Sequence, residues 1–144
     1  HARMKIPTPP GGSPYTQKAL NYLLANRPMF VDGHELVVVH VVTGISGHVT
    51  RHLSKEVLEE YYTEESAKVL DPVVARLAKE GVSSYTIDKR HGHAAEEILK
   101  AAAASKAQLI VLGTHGHGIL GRALMGSVAT KVISETDTSV LLVQ

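Results

Sequence analysis

The chain contains no cysteine and no tryptophan, and only one phenylalanine. The absence of cysteine excludes a disulfide scaffold, a thiolate zinc site and a cysteine nucleophile. It fits a reducing compartment, where disulfides do not persist. Neither sign of charge is in excess: 15 Lys and Arg face 14 Asp and Glu, a formal net charge of +1. A nucleic-acid partner, which would call for a wide basic face, is therefore not expected. Long apolar runs are missing too. The strongest, around Leu36 to Val39, is far too short to cross a bilayer, and the N-terminus lacks the apolar core of a signal peptide. The expectation is a soluble, cytoplasmic protein with neither nucleic acid nor membrane as partner.

What is present is enough for one globular domain: 144 residues, 44% of them hydrophobic. His1-Ala2-Arg3 before Met4 reads as a tag remnant, so the domain is taken as residues 4–144. Glu35 to Val42 holds a nearly continuous run of valines, the mark of a strand buried on both faces of a parallel sheet. Leu109 to Leu112 and Val140 to Val143 are shorter runs of the same kind, while Val82 to Ile87 is more polar and suits an edge strand. Between them lie helical patterns. Ser13-Pro14 is a helix start, followed by a stripe of Ala19, Leu20, Leu23 and Leu24. Ala67, Leu70, Val74, Leu77 and Ala78 give a second stripe, closed by Gly81, with Pro72 expected to kink it or restart it after Asp71. Ala94 to Ala104 and Ser127 to about Ser134 complete the set. Alternating strands and helices imply βαβ units and an α/β fold around a parallel sheet.

The segment between the Leu112 strand and the last helix is long for such a connection and holds five glycines: Gly113, Gly116, Gly118, Gly121 and Gly126. Ligands of open α/β sheets bind beyond the carboxyl ends of the strands. Glycine allows close backbone approach, and the free N–H groups of the helix starting near Ser127 favour an anion. These features read as a phosphate cradle; turning the chain is the plainer use of the same glycines. Gly116 to Gly121 also fits G-x-G-x-x-G, but only one strand follows, and Glu135 and Asp137 precede it, unlike a dinucleotide fingerprint. No Walker-type phosphate loop is present.

Gly113-x-x-Gly116, nine residues, then Gly126-Ser127 resembles the G-2x-G-9x-G-[S/T] signature of the ATP-binding branch of the universal stress protein family. Ser13-Pro14-Tyr15, His40-Val41-Val42, Gly92 to Ile98 and Ser139 to Val143 extend the resemblance over nearly the whole chain. The resemblance implies a single open five-stranded parallel sheet in order 3-2-1-4-5 with helices on both faces, Rossmann-like and akin to the adenine nucleotide alpha hydrolases. It implies ATP or another adenine nucleotide as a regulatory ligand in stress response, and a homodimer through the terminal strand Val140 to Val143. Carried over by position, Gly113, His115 and Gly116 border ribose and phosphates. Gly126, Ser127 and Val128 offer main-chain N–H groups and one hydroxyl to the phosphates, and the main chain of Val41 lies against adenine. Pro9, Pro10 and Gly11 fall near the adenine side. Arg122 reads either as a contact to the terminal phosphate or as a solvated surface residue. Magnesium with the phosphates stays open, since the loop has no acidic ligand.

One departure stands out. The family's first strand typically ends Pro-Val-Asp-Gly-Ser, and the aligned run here is Pro9-Pro10-Gly11-Gly12-Ser13, so Gly11 replaces a nucleotide-holding Asp. Losing one charged hydrogen bond costs about 1.5–3 kcal/mol, roughly ten- to hundred-fold in affinity. Pro7 and Pro10 predict a short, irregular first strand. The alternative is thus a universal stress protein dimer that binds no nucleotide and works through protein partners. No residue is placed to activate water, so the chain is not expected to be an enzyme beyond slow ATP hydrolysis. A small phosphotransferase or hydrolase using His115 or His117 is a third class without a supporting motif. Nine histidines include His91-x-His93 and His115-x-His117, but neither pair has carboxylates beside it, and no metal site is expected. His91 and His93 read as solvated loop residues and His40 as a hydrogen-bonded core histidine. Glu56, Glu59, Glu60, Glu64 and Glu65 form an acidic helix face, with Tyr61 and Tyr62 either packed beneath it or facing a partner.

Overall fold

The computed structural model describes residues 3–8, 13–44, 47–113 and 126–144, with backbone alone for 3–8 and 13–16. The elements run β1 Arg3–Thr8, α1 Ser13–Ala25, α2 Arg27–Phe30, β2 Glu35–Val42, α3 Gly47–Thr50, α4 Lys55–Lys79, β3 Tyr85–His91, α5 Ala94–Ala104, β4 Leu109–Gly113, α6 Ser127–Glu135 and β5 Ser139–Val143. All strand pairs are parallel, in the order β3-β2-β1-β4-β5.

Alternation along β2 explains the layers. Leu36 and Val38 pack on one face with Ala19, Leu20 and Leu23 of α1 and Leu70, Val73 and Leu77 of α4. Val37, Val39 and Val41 pack on the other with Ile98, Ala101 and Ala102 of α5 and Ala129 and Val132 of α6. A strand buried on both faces needs apolar residues at every position, which is why its sequence shows no period of two. The alanines of α5 let that helix lie close to the sheet.

Several expectations change at this level. The edge strand β3 is Tyr85–His91 and not Val82 to Ile87. Gly81, at φ +71°, ends the preceding helix. Val82 then plugs the core, and pairing with β2 starts only at Leu36↔Tyr85. Helix α4 is continuous through Pro72. Proline removes one hydrogen bond from the helix, while burial of Leu70 and Val73 on either side anchors both halves to the sheet. The buried stripe of α4 is Ser66, Leu70, Val73 and Leu77; Val74 is 37% exposed and Ala78 is exposed.

The first strand is neither short nor irregular against β2, pairing at six positions from Arg3↔Glu35 to Thr8↔His40, and it therefore begins before Met4. Against β4 it pairs only at Met4↔Leu109 and Lys5↔Ile110. Strand polarity supplies the reason. The Leu36 N–H bonds the Ser84 carbonyl and the Val42 carbonyl accepts from Gly92 N–H, so even residues of β2 face β3 and odd ones face β1. With that register, odd residues of β1 face β4. The next donor toward β4 after Lys5 is residue 7, a proline with no N–H, and the ladder stops there.

Candidate functional site

In a parallel sheet of this order the chain winds outward from β1 through β2 to β3, then restarts at β4 on the other side of β1. The crevice at such a switch point, beyond the carboxyl ends of the strands, is where open α/β sheets take ligands. Here the β1–β4 ladder ends at Lys5↔Ile110, and Pro7, which has no N–H, cannot extend it.

Three of the expected site segments meet this crevice. Val41 lies one residue past the last β1–β2 pair, and its parity turns its main-chain N–H and C=O toward the β1 side. Its side chain is buried against α5 and α6, so only main-chain atoms are available. Gly113 ends β4, pairs with Val143 of β5, and by the same alternation directs its peptide groups toward β1. Gly126 is the N-cap of α6, with φ −61° and ψ 153°, and among the described residues no side chain makes a capping bond there. The Thr130 N–H and hydroxyl both donate to the Gly126 carbonyl at 3.0 Å, fixing the first turn. Ser127 is exposed, Val128 half-buried, and Ala129 and Val132 anchor α6 in the core. The first N–H groups of α6 therefore lie at the sheet's carboxyl end, where an anion would satisfy them. Pro9, Pro10, Gly11, His115, Gly116 and Arg122 lie outside the described residues.

Beside Val41, on the α4 side, is a recess of about 140 Å³ lined by buried His40 and by Tyr61, Glu65 and Lys68. The Lys68 ammonium donates to Glu65 at 2.7 Å, and that hydrogen bond, then the carboxylate's charge, raises the lysine above its ordinary pKa. A larger recess of about 360 Å³ lies at the opposite end, where β2 and β3 begin, lined by Arg27, Asp32, His34, Ser83 and Ser84. His34 Nδ1 there is buried and has no hydrogen-bond partner among the described residues. Its position at the amino ends of the strands separates it from the crevice.

Two histidine expectations need correction or detail. His91 is exposed, as expected, but it ends β3 and does not lie in a loop, and its ring is stacked on Tyr62 of α4 with centroids 4.4 Å apart and planes 6° from parallel. The partners are far apart in sequence, and no local pattern announces them. His93 is exposed and is the N-cap of α5, without a side-chain capping bond. Arg90 bridges Asp88 at 3.0 Å and Glu97 at 3.5 Å, tying the end of β3 to α5. Among the described residues no group of three or more His, Cys, Asp or Glu could hold a metal ion, and no helix is long and apolar enough to cross a membrane.

Comparison with known proteins adds the family. Residues 4–144 match the universal stress protein family. The chain is 32% identical over 133 residues to a Thermus aquaticus protein described as universal stress protein in QAH/OAS sulfhydrylase 3′ region, covering 92% of this chain and 93% of the relative. It is 34% identical over 113 residues to universal stress protein YxiE of Bacillus subtilis, covering 78% and 74%. Among solved structures it resembles hypothetical protein MJ0577, with TM-score 0.79 and 25% identity over 99% of this chain and 94% of the other. The fold is shared with an Arabidopsis thaliana universal stress protein family protein with AMP bound (TM-score 0.69, 14% identity, 99% and 91% covered). It is shared too with a universal stress protein in complex with cAMP (TM-score 0.64, 19% identity, 99% and 96% covered). The α/β fold, the length of the match and the identity to these relatives agree: this chain belongs to the universal stress protein family.

Proposed function

We propose that this chain binds an adenine nucleotide, ATP foremost, in the crevice between β1 and β4, and that the nucleotide is a regulatory ligand in a cytoplasmic stress response. The observation that carries the reading is the start of α6 at Gly126, without a side-chain cap among the described residues, set at the carboxyl end of a sheet whose β1–β4 ladder is interrupted by Pro7. Phosphates would take the N–H groups of Ser127 and Val128 and the Ser127 hydroxyl, while Gly113 would border the ribose. Adenine would lie against the Val41 main chain. The β1–β2 ladder ends at Thr8↔His40, one residue before Val41, and in this reading the Val41 carbonyl accepts from the adenine amino group. The AMP and cAMP bound to proteins of the same fold support the class of ligand. His115, Gly116 and Arg122 complete the phosphate loop in this reading, with the glycine spacing of the ATP-binding branch.

Val41, Gly113, Gly126 and Ser127 supply main-chain groups and one hydroxyl, not a base, so any ATP hydrolysis is slow. The chain would form a homodimer through β5. Its residues 139, 141 and 143 face β4, which turns the N–H groups of Val140 and Leu142 to the open edge.

Calorimetric titration with ATP, AMP and cAMP, with and without magnesium, after stripping bound nucleotide, tests the proposal. Micromolar binding is expected, weakened by Gly11 but not abolished. No heat at millimolar nucleotide would overturn it and favour a dimer acting through protein partners. Magnesium dependence would place the cation with the phosphates.

A further inference from the structure

The first three turns of α4 do not belong to the core. Burial in this helix begins at Ser66, and residues 55–65 contribute no buried side chain. At 25 residues the helix is about 37 Å long, against about 26 Å for the eight-residue β2. Its N-terminal part therefore overhangs the carboxyl edge of the sheet. Leu58 and Tyr62 turn inward, Tyr62 onto His91. On the outward side Val57 is 48% and Tyr61 37% exposed, one helical turn apart, and Leu53 and Val49 before the helix are 39% and 49% exposed. Tyr61 stands edge-on to Tyr62, with part of its side chain bordering the recess beside His40 and the rest open to solvent.

Charge says what covers this face. Residues 55–65 carry five glutamates against Lys55 alone. Among the described residues only Glu65 of the five is ion-paired, with Lys68. Glu56, Glu60 and Glu64 repeat at one-turn intervals, so each repels the next along the helix. A row of like charges beside exposed Val57 and Tyr61 opposes local stability, and neither nucleic acid nor an anionic membrane would relieve it.

We infer that the overhanging part of α4 is a docking surface for a basic amphipathic segment of a partner protein, whose apolar side covers Val57 and Tyr61 while its Lys or Arg side chains neutralise Glu56, Glu60 and Glu64. The inference does not depend on nucleotide binding, although the surface lies at the same end of the sheet.

The probe is a helical peptide of about 18 residues made of leucine and lysine in amphipathic order, with a leucine–glutamate peptide of the same pattern as control. Binding is followed by fluorescence anisotropy at two salt concentrations. The Leu–Lys peptide should bind the full chain in a salt-dependent way and the Leu–Glu peptide should not. Affinity should fall roughly tenfold in Glu56→Gln/Glu60→Gln/Glu64→Gln and again in Val57→Ser/Tyr61→Ser, which leaves the charge unchanged. Circular dichroism should show both variants folded, since none of these side chains is buried. Unchanged affinity in Val57→Ser/Tyr61→Ser would reduce the effect to bulk charge and overturn the proposal. So would equal binding of the Leu–Glu peptide. A shift in the sedimentation of that variant alone would make the occupant a second copy of the chain and overturn it as well.

Discussion

Replacing Gly126 with valine separates the fold from the phosphate site. Its φ of −61° and ψ of 153° are open to any residue, unlike Gly81 at φ +71° or Gly92 at φ +130°, where a side chain is strained. Valine therefore fits the backbone. It is a poorer N-cap than glycine, a difference of about 0.5–1 kcal/mol, or roughly 2–4 °C in Tm for a chain of this size. Its methyl groups would, however, occupy the approach to the Ser127 and Val128 N–H groups. A phosphate oxygen held by such groups gains about 1.5–3 kcal/mol from each charge-assisted bond. Losing one weakens ATP at least roughly tenfold, and losing two abolishes measurable binding. Calorimetry and thermal unfolding on the same preparations decide. Gly126→Ser is the companion variant: its hydroxyl caps the helix and raises Tm slightly, yet competes with phosphate and weakens ATP less than valine does. If Gly126→Val binds ATP as tightly as the parent chain, the start of α6 does not hold phosphate and the reasoning fails.

Further tests address other parts of the structure. If the chain pairs through β5 as proposed, Leu142→Pro should turn that dimer into a folded monomer in sedimentation, because the Leu142 N–H faces the open edge and not β4; an unchanged dimer would refute that interface. Val73→Ala should cost about 2 kcal/mol in urea unfolding and Val74→Ala less than about 0.5, since Val73 is 5% exposed and Val74 37%; the reverse order would place α4 a residue out of register. Lys131 donates to Glu96 at 3.3 Å, and this hydrogen bond, then the lysine's charge, holds the carboxyl below its ordinary pKa. A carboxyl lowered in the folded chain stabilises it above the unfolded pKa and loses that contribution as pH falls through the folded value. Lys131→Ala should therefore raise the Glu96 titration midpoint in NMR, and the stability difference between the two proteins should vanish in acid; an unmoved midpoint would show that the α5–α6 pair is absent in solution.

The α/β class, the strand Glu35–Val42 and the helix Ala94–Ala104 were legible in the sequence. Each rests on short-range chemistry. A valine-rich run suits a strand covered on both faces, and an alanine-rich run suits a helix. Pro7 was legible as a departure, because loss of an N–H is a property of the residue itself, while Pro9, Pro10 and Gly11 lie outside the described residues.

What only the tertiary structure decided depends on partners distant in the chain. Val82 to Ile87 has the composition of a strand, yet β3 starts at Tyr85, where Leu36 offers pairing and Val82 is drawn into the core. Pro72 reads as a break, but Leu70 and Val73 hold α4 to the sheet on both sides of it. The stripe of that helix shifted from Val74 to Val73 because the direction of the sheet, not the spacing of apolar residues, sets which side is buried. Pro7 was visible as a lost donor, but only the alternation of peptide groups along β1 showed that the loss falls on the β4 side, where the ladder ends. The stacking of Tyr62 on His91 and the overhang of α4 arise when a helix longer than its strand is laid across the sheet. Local sequence sets what each segment can be; which groups face one another is set by register and layer packing, for which no single segment carries the information.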